Sequence, residues 1–424
     1  MNELKSSIPG LVYLPTREYS KSSDGFLEGR KQVDGAENLW RINNRLYNLD
    51  EFINNHPGGA QWISLTKGTD ITELFETHHL SNKAENMLPK FYVRDAKTPR
   101  SIPMTFNENG FYKTFKKRSY EALKNINYHY PSFKTNLIAD TVMIMTILFC
   151  LVSAATQSMI TSTIAGVLMT WTTIIGHNYL HMRDNYRMYY LDISLMSSRD
   201  WRITHVMSHH MYPNTIWDIE MYGYEPLFQY LPRKKSIIRY LGIFYSPIFW
   251  FLSFYLVGIK RYISVFFVNK KIEFGDLVPF IIPIIMCFYS QNIQTAFKIW
   301  ITIIGISSFV FMFIGFNAAH HHPKIFHDGD ICRDDLDWGL LELDAVRDRN
   351  VIDDYYFLVV TNFGSHGLHH LLPTIDHAYL PLCLPALQKT CEEFNINNDK
   401  FTQIELIKGQ FAQLRRTHPE KNMR

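Results

Sequence analysis

Long apolar runs with almost no charge dominate the second two thirds of this 424-residue chain, and they restrict its fold more than any other feature. A helix rises 1.5 Å per residue, so about 20 apolar residues cross the hydrocarbon of a bilayer. Runs of that kind occupy residues 137–155 and 160–175, separated by a tight polar turn at Gln157, and read as a membrane hairpin. Residues 277–289 and 299–316 flank a polar link at Gln291 and Asn292 and are predicted to form a second hairpin, although Pro279 and Pro283 interrupt its first arm. A fifth run, 241–258, lies between basic clusters at Arg233, Lys234, Lys235 and at Lys260, Arg261. Basic residues favour the cytosolic face, so this run is predicted to be re-entrant or to lie in the interface. Four spans put both termini and both long polar connections on the cytosolic side.

The first 130 residues are polar by contrast. Residues 1–24 read as a disordered N-terminus, and 25–95 alternate short apolar runs with Asn, Asp and Gly turns, as a small α+β domain does. Residues 96–134 should hold a linker and pre-membrane helices, with charge and proline concentrated over 94–103. Residues 135–385 should form an all-α multi-pass domain with four transmembrane helices, and 386–424 a cytosolic tail. A formal charge of +3 is too small to suggest a nucleic-acid partner. The opening MNELKSSIPG has no basic start followed by an apolar core, so no secretory signal is expected. Five cysteines in no pattern fit a reducing compartment.

Within the polar domain, His56 opens an H-P-G-G run, and His79 stands 23 residues later in F-E-T-H-H. A flat macrocycle whose iron is held by two imidazoles needs them on opposite faces, from two helix-loop units, with glycines where backbone approaches the ring edge. His56 and His79 meet that need, and His79 has the better spacing than its neighbour His78. Ile71, Leu74 and Phe75 fall at helical spacing, as a pocket wall requires. With both axial positions filled, a haem b here would pass single electrons rather than bind oxygen.

Eight of the 18 histidines fall in three clusters: His177 and His181; His205, His209 and His210; His366, His369 and His370. Spacings of three and four residues put imidazoles on one helix face. The first cluster directly follows the second apolar run, so the three can converge just outside the bilayer. Imidazole-rich sites suit iron, copper or zinc, and an adjacent electron-carrying haem favours iron. Tethering the haem in the same chain supplies a local concentration on the order of millimolar.

With these residues in view, 40–93 resemble cytochrome b5, whose mark is H-P-G-G with a later ligand histidine. Residues from about 135 to 385 resemble the membrane fatty acid desaturases, with their three ordered histidine boxes. The fused arrangement is similar to front-end desaturases and to the insect cytochrome b5-related proteins of that superfamily. The resemblance implies axial ligation by His56 and His79. It also implies two non-haem irons held by His177, His181, His205, His209, His210, His366, His369 and His370. The F-N-A-A-H-H-H-P segment resembles the extra ligands of some acyl-CoA desaturases, which brings in Asn317 and His321, with His320 and His322 as competitors. Two departures stand out: His366 replaces the usual glutamine, and Asn178 follows His177 where aspartate is usual. Asp184, Asp218 and Glu220 are either carboxylates that orient imidazoles or solvated loop charges.

The implied activity is oxygen-dependent desaturation of a fatty acyl lipid in the endoplasmic reticulum membrane, with electrons from NADH-cytochrome b5 reductase passing through the haem. Hydroxylation of a lipid chain at the same site is the alternative chemistry. A haem-binding membrane protein with a non-catalytic desaturase-like half is the alternative of another class.

Overall fold

The computed structural model describes residues 5–267, 271–421 and 424. Three short antiparallel strands, β1 (Trp40–Ile42), β2 (Arg45–Tyr47) and β3 (Tyr92–Asp95), form a sheet in the order β1-β2-β3. Asn43, at φ +54°, turns β1 into β2 so that Trp40 faces Tyr47. Trp40, Ile42, Tyr47, Leu49, Ile63 and Ile71 bury against one another beneath the sheet. Helices Ala60–Ser64, Thr72–His78 and Lys83–Met87 stand around a cavity on this core. The predicted α+β domain is therefore present.

Beyond it the chain is mostly helical. Among the described residues four helices are long and apolar enough to cross a membrane: Phe133–Thr156, Met159–Leu180, Ile237–Phe267 and Ile293–Phe316. The first two pack as the expected hairpin, with Gln157 at φ +55° in the turn. Small and hydroxylated residues let the backbones approach. Thr146 and Thr172 share a hydrogen bond at 2.7 Å, and Thr170 donates to the Ser307 carbonyl at 3.0 Å. Gly166 leaves room for Ile306, which a Cβ would meet at 2.6 Å. Leu137, Ile144, Leu148, Ile160 and Phe244 are among the large side chains left bare on the outside, where lipid would cover them.

The number of membrane-length helices matches expectation, but their identity differs. Residues 277–289 do not form a straight span. Prolines break the segment into short turns and the helix Ile281–Cys287, which packs on Phe133–Thr156 and Ile293–Phe316. The run 241–258 instead lies within the membrane-length stretch Ile237–Phe267, whose α-helical part is the 26-residue helix Gly242–Phe267. Both ends of that helix are tied to the polar layer. Lys260 donates to the Lys21 carbonyl at 2.7 Å, Arg261 pairs with Asp192 and Asp276, and Gly242 abuts Leu414.

Three polar segments depart from the sequence expectation. Within 1–24, expected to be disordered, residues 5–24 are packed; residues 1–4 lie outside the described residues. Ser6 and Ser7 bind Asp328, Ile8 and Leu14 are buried, and Trp217 donates its indole N–H to the Val12 carbonyl at 2.7 Å. The proline-rich connection is pinned as well. Arg41 donates to the Thr98 carbonyl at 2.8 Å, and Arg100 reaches Asp70 at 2.7 Å and Glu73. Nor is 386–424 a free tail. Helices Leu380–Glu393 and Gln403–Arg415 pack back on the molecule, and β5 (Lys400–Phe401) pairs in parallel with β4 (Asp348–Arg349).

Candidate functional site

His56 and His79 face each other across a cavity of about 540 Å³, their ring centroids 6.2 Å apart. Each ring is oriented by its own backbone. His56 Nδ1 donates to the Gly59 carbonyl at 3.1 Å, and His79 Nδ1 to the Phe75 carbonyl at 2.9 Å. Those bonds fix the tautomer and leave each Nε2 lone pair for the cavity. Burial pushes the His79 pKa down to about 4 and lowers that of His56, so both are neutral donors at pH 7. Leu49, Phe52, Ile63, Leu74 and Phe75 give the cavity apolar walls. His78 also lines it, but its Nδ1 is held by the Thr77 hydroxyl at 2.9 Å and its ring lies against Trp62. The size, the apolar walls and the opposed neutral imidazoles fit a haem.

The three histidine clusters meet in one buried region. His177 and His181 end the second long helix, where the chain leaves the apolar layer. The second cluster rides on Arg202–His209, which winds with five-residue hydrogen bonds; the His210 N–H reaches the His205 carbonyl at 2.8 Å. This wider turn brings residues five apart together, so the Nε2 atoms of His205 and His210 lie 3.1 Å apart while His209 turns to the other side. The helix His366–Leu371 divides its histidines likewise.

Two groups result. His177, His181, His210 and His369 present nitrogens within 4.8 Å of one another, with His205 Nε2 2.8 Å from His177 Nε2. The second group contains His209, His320 and His370, and His366 joins it with its Nε2 3.2 Å from that of His320. Most of the outward-facing Nδ1 atoms are tied off. His205 donates to Glu220 at 2.9 Å, His209 to Asp218 at 2.8 Å, His370 to Glu342 at 3.0 Å, His320 to the Ala345 carbonyl at 2.9 Å, and His366 to the Ala318 carbonyl.

With Nδ1 carrying the proton, a neutral imidazole has only a lone pair at Nε2. His320 Nε2 nevertheless lies 3.1 Å from those of both His209 and His370. Burial is outweighed at His209 by the Asp218 and Glu220 carboxylates, which push its pKa up to about 9, so it can donate to His320. Between His320 and His370, both held neutral, crowded lone pairs repel unless a cation sits between them. The Nδ1 atoms of His181, His210 and His369 are buried without a hydrogen-bond partner. Burial, with neighbouring histidines, holds His181, His210, His320, His369 and His370 well below the usual pKa. They are uncharged and free to coordinate. The donor set fits two imidazole-ligated metal ions.

All eight histidines of the boxes are thus brought together. In the fourth-span motif, His320 enters the second group, whereas His321 stacks flat on Tyr230, centroids 3.7 Å apart, and Asn317 caps the helix by bonding to the Phe313 carbonyl. Asp218 and Glu220 do hold imidazoles; Asp184 pairs with Arg202 at 2.9 Å instead. Glu342 stands apart from every box in the sequence, and no spacing pattern marks it. At the departure from the usual His-Asp, Asn178 still accepts from His177 Nδ1 at 3.1 Å through its side-chain oxygen. A cavity of about 80 Å³ opens beside His205, His209, His320 and His366, walled by Trp201, Tyr224, Phe311, Phe316 and Phe363.

Comparison with known proteins agrees with this layout. The family described as Fatty acid desaturase matches residues 155–400, and the Cytochrome b5-like Heme/Steroid binding domain matches 27–97. A "Cytochrome b5-related protein" of Drosophila melanogaster is 42% identical over 399 residues, covering 92% of this chain and 91% of its own. The "Probable Delta(5) fatty acid desaturase C" of Dictyostelium discoideum is 22% identical over 85% of this chain and 87% of its own. The "Acyl-lipid (8-3)-desaturase" of Mortierella alpina is 21% identical over 84% and 88%.

Proposed function

We propose that this chain, which belongs to the fatty acid desaturase family and carries a cytochrome b5-like domain fused at its N-terminus, introduces a double bond into a fatty acyl lipid with O2 as oxidant. The observation that carries this reading is the pair of crowded imidazole groups beside an apolar cavity, within a chain that also holds a haem-shaped pocket. Removing two hydrogens from an acyl chain and reducing O2 to two waters takes two further electrons and two protons. A reductase of the NADH-cytochrome b5 reductase class would supply the electrons through the haem, in the endoplasmic reticulum membrane with the boxes on the cytosolic side.

When bound, two irons supply the oxygen activation needed to break an unactivated C–H bond. His177, His181, His205, His210 and His369 would hold one, and His209, His320, His366 and His370 the other. Glu220, Asp218 and Glu342 keep their imidazoles in the coordinating tautomer. Trp201, Phe311 and Phe363 position the acyl chain and exclude water from the reacting carbon.

The test is the lipid profile of cells expressing the wild-type chain or the His209→Ala, His210→Ala double variant, with haem absorbance recorded in both. A new unsaturated species with the wild type alone, haem intact in both, is the expected result. A product heavier by one oxygen would make the protein a hydroxylase. Identical profiles with intact haem and no non-haem iron would leave a haem-bearing protein with a non-catalytic membrane half.

A further inference from the structure

We infer that the haem pocket is completed by the membrane half of the chain, where Arg183 and His129, together with Lys83 of the haem domain, receive the carboxylates of the haem. The inference rests on haem binding by His56 and His79 as proposed above. It concerns which way the cofactor faces and what holds its polar edge.

The cavity between the two axial histidines does not end within the cytochrome b5-like domain. Its remaining wall comes from Tyr128, His129 and Tyr130, just before the first long helix, and from Met182 and Arg183, just after the first histidine box. Three nitrogen bases, Lys83, His129 and Arg183, line this part, and among the described residues no aspartate or glutamate lines the cavity. The Arg183 guanidinium lies over the Tyr130 ring, 4.3 Å from its centroid. Among the described residues neither Arg183 nor Lys83 has an ion pair. The two cations are close enough to His129 to depress its protonation, after the larger effect of its burial.

Lys83 is exposed and Arg183 half-buried at the mouth of this apolar cavity, so both are free to form charge-assisted hydrogen bonds with an anion bound inside it. Haem b is an apolar disc with two carboxylates on one edge, so it matches a pocket with apolar walls and one cationic side. The carboxylate edge would then face the membrane half. His181, a member of the first metal group, lines the same cavity, so the two redox sites share a wall. Haem retention would in turn depend on the docking of the two halves. A phosphate from a lipid headgroup is the competing source of negative charge for these cations.

The experiment uses the full-length protein in detergent as wild type, Arg183→Ala, Arg183→Lys and His56→Ala. Haem transfer to excess apomyoglobin and the haem reduction potential are the readouts. Loss of a charged hydrogen bond should speed haem release in Arg183→Ala roughly tenfold or more. The potential should fall, because a nearby cation favours the less positive reduced haem, and Arg183→Lys should restore most of both. Reconstitution with haem carrying methyl esters in place of its carboxylates should abolish the difference in haem release between wild type and Arg183→Ala. Unchanged release and potential in Arg183→Ala would overturn the inference. So would a difference in haem release that survives esterification, which would assign Arg183 to a lipid phosphate or to packing. Retention of a bis-imidazole spectrum in His56→Ala is a separate outcome and would sink the haem assignment itself.

Discussion

The backbone N–H of Asp184 donates to the carbonyl of Gly58 at 2.8 Å. Gly58 belongs to the H-P-G-G loop of His56, and Asp184 follows shortly after His181, so one hydrogen bond joins the haem loop to the first histidine box. Neighbouring contacts reinforce it. Arg202 pairs with Asp184 at 2.9 Å, donates to the Gln61 side chain at 2.7 Å and lies over Trp62 at 4.5 Å. Arg202 also begins the turn that carries the second box. The junction between the two halves, the His56 loop and the first two histidine boxes are therefore built from the same short segments.

Gly59→Ala should disturb that junction. Gly59 has φ +119°, and an added Cβ would lie 2.1 Å from the Asp184 carboxylate. The left-handed backbone alone makes alanine costly by about 1–3 kcal/mol. We expect a lower haem-to-protein ratio and new protease sensitivity over residues 94–103 in the full-length protein. Full haem content with an unchanged cleavage pattern would mean that the loop tolerates the displacement.

Arg202→Gln tests docking with the haem ligands left untouched. The buried guanidinium contacts both halves, so its loss should leave the haem spectrum intact and slow reoxidation of the reduced haem in air, by up to roughly 100-fold for a displacement of about 1 Å. Stopped-flow absorbance reads the rate. Equal rates in wild type and variant would remove Arg202 from the coupling between halves.

Much of this arrangement was legible in the sequence wherever chemistry sets a spacing. His56 and His79 are separated as two opposed axial ligands must be, and the box histidines recur at intervals that a helix face allows. Glu342 reaches His370 through the tertiary fold alone, at 3.0 Å, and leaves no local pattern. The five-residue winding at His205–His210 was equally hidden, because helical periodicity assumes a tighter turn. Residues 5–24 look polar and loose in sequence, yet Ile8 and Leu14 are buried because a distant surface, including Asp328 and Trp217, accepts them. The helix Gly242–Phe267 meets length and hydropathy criteria for a span, but Lys260 and Arg261 bond to Lys21, Asp192 and Asp276. Composition alone could not reveal those partners.

Glu342→Ala should weaken the second metal group without touching a coordinating nitrogen. Its carboxylate accepts from His370 Nδ1 and is itself almost fully buried. Loss of such an orienting partner costs about 10–100-fold in metal affinity. Iron per protein after a chelator wash should fall while haem absorbance is preserved, with Glu342→Gln intermediate because its amide oxygen can still accept. Wild-type iron retention in Glu342→Ala would show that His370 is oriented by its packing alone.

The run of three histidines after the fourth long helix provides the sharpest division. Asn317 ends that helix with its side chain turned back to the Phe313 carbonyl, and the following turn sends His320 and His321 in different directions. His320 is anchored through Nδ1 to the Ala345 carbonyl and faces His209, His366 and His370 through Nε2. His321 lies on Tyr230 with nearly parallel rings, 4° apart, and borders the apolar cavity. His320→Ala should therefore halve the non-haem iron content, whereas His321→Ala should retain both irons and alter acyl turnover through the shape of the cavity. Metal analysis of the purified variants, normalised to haem, separates the two. Should His321→Ala lose iron while His320→Ala keeps it, the second group must reorganise around the neighbouring histidine when metal binds, and Tyr230 would have to release the ring it now covers.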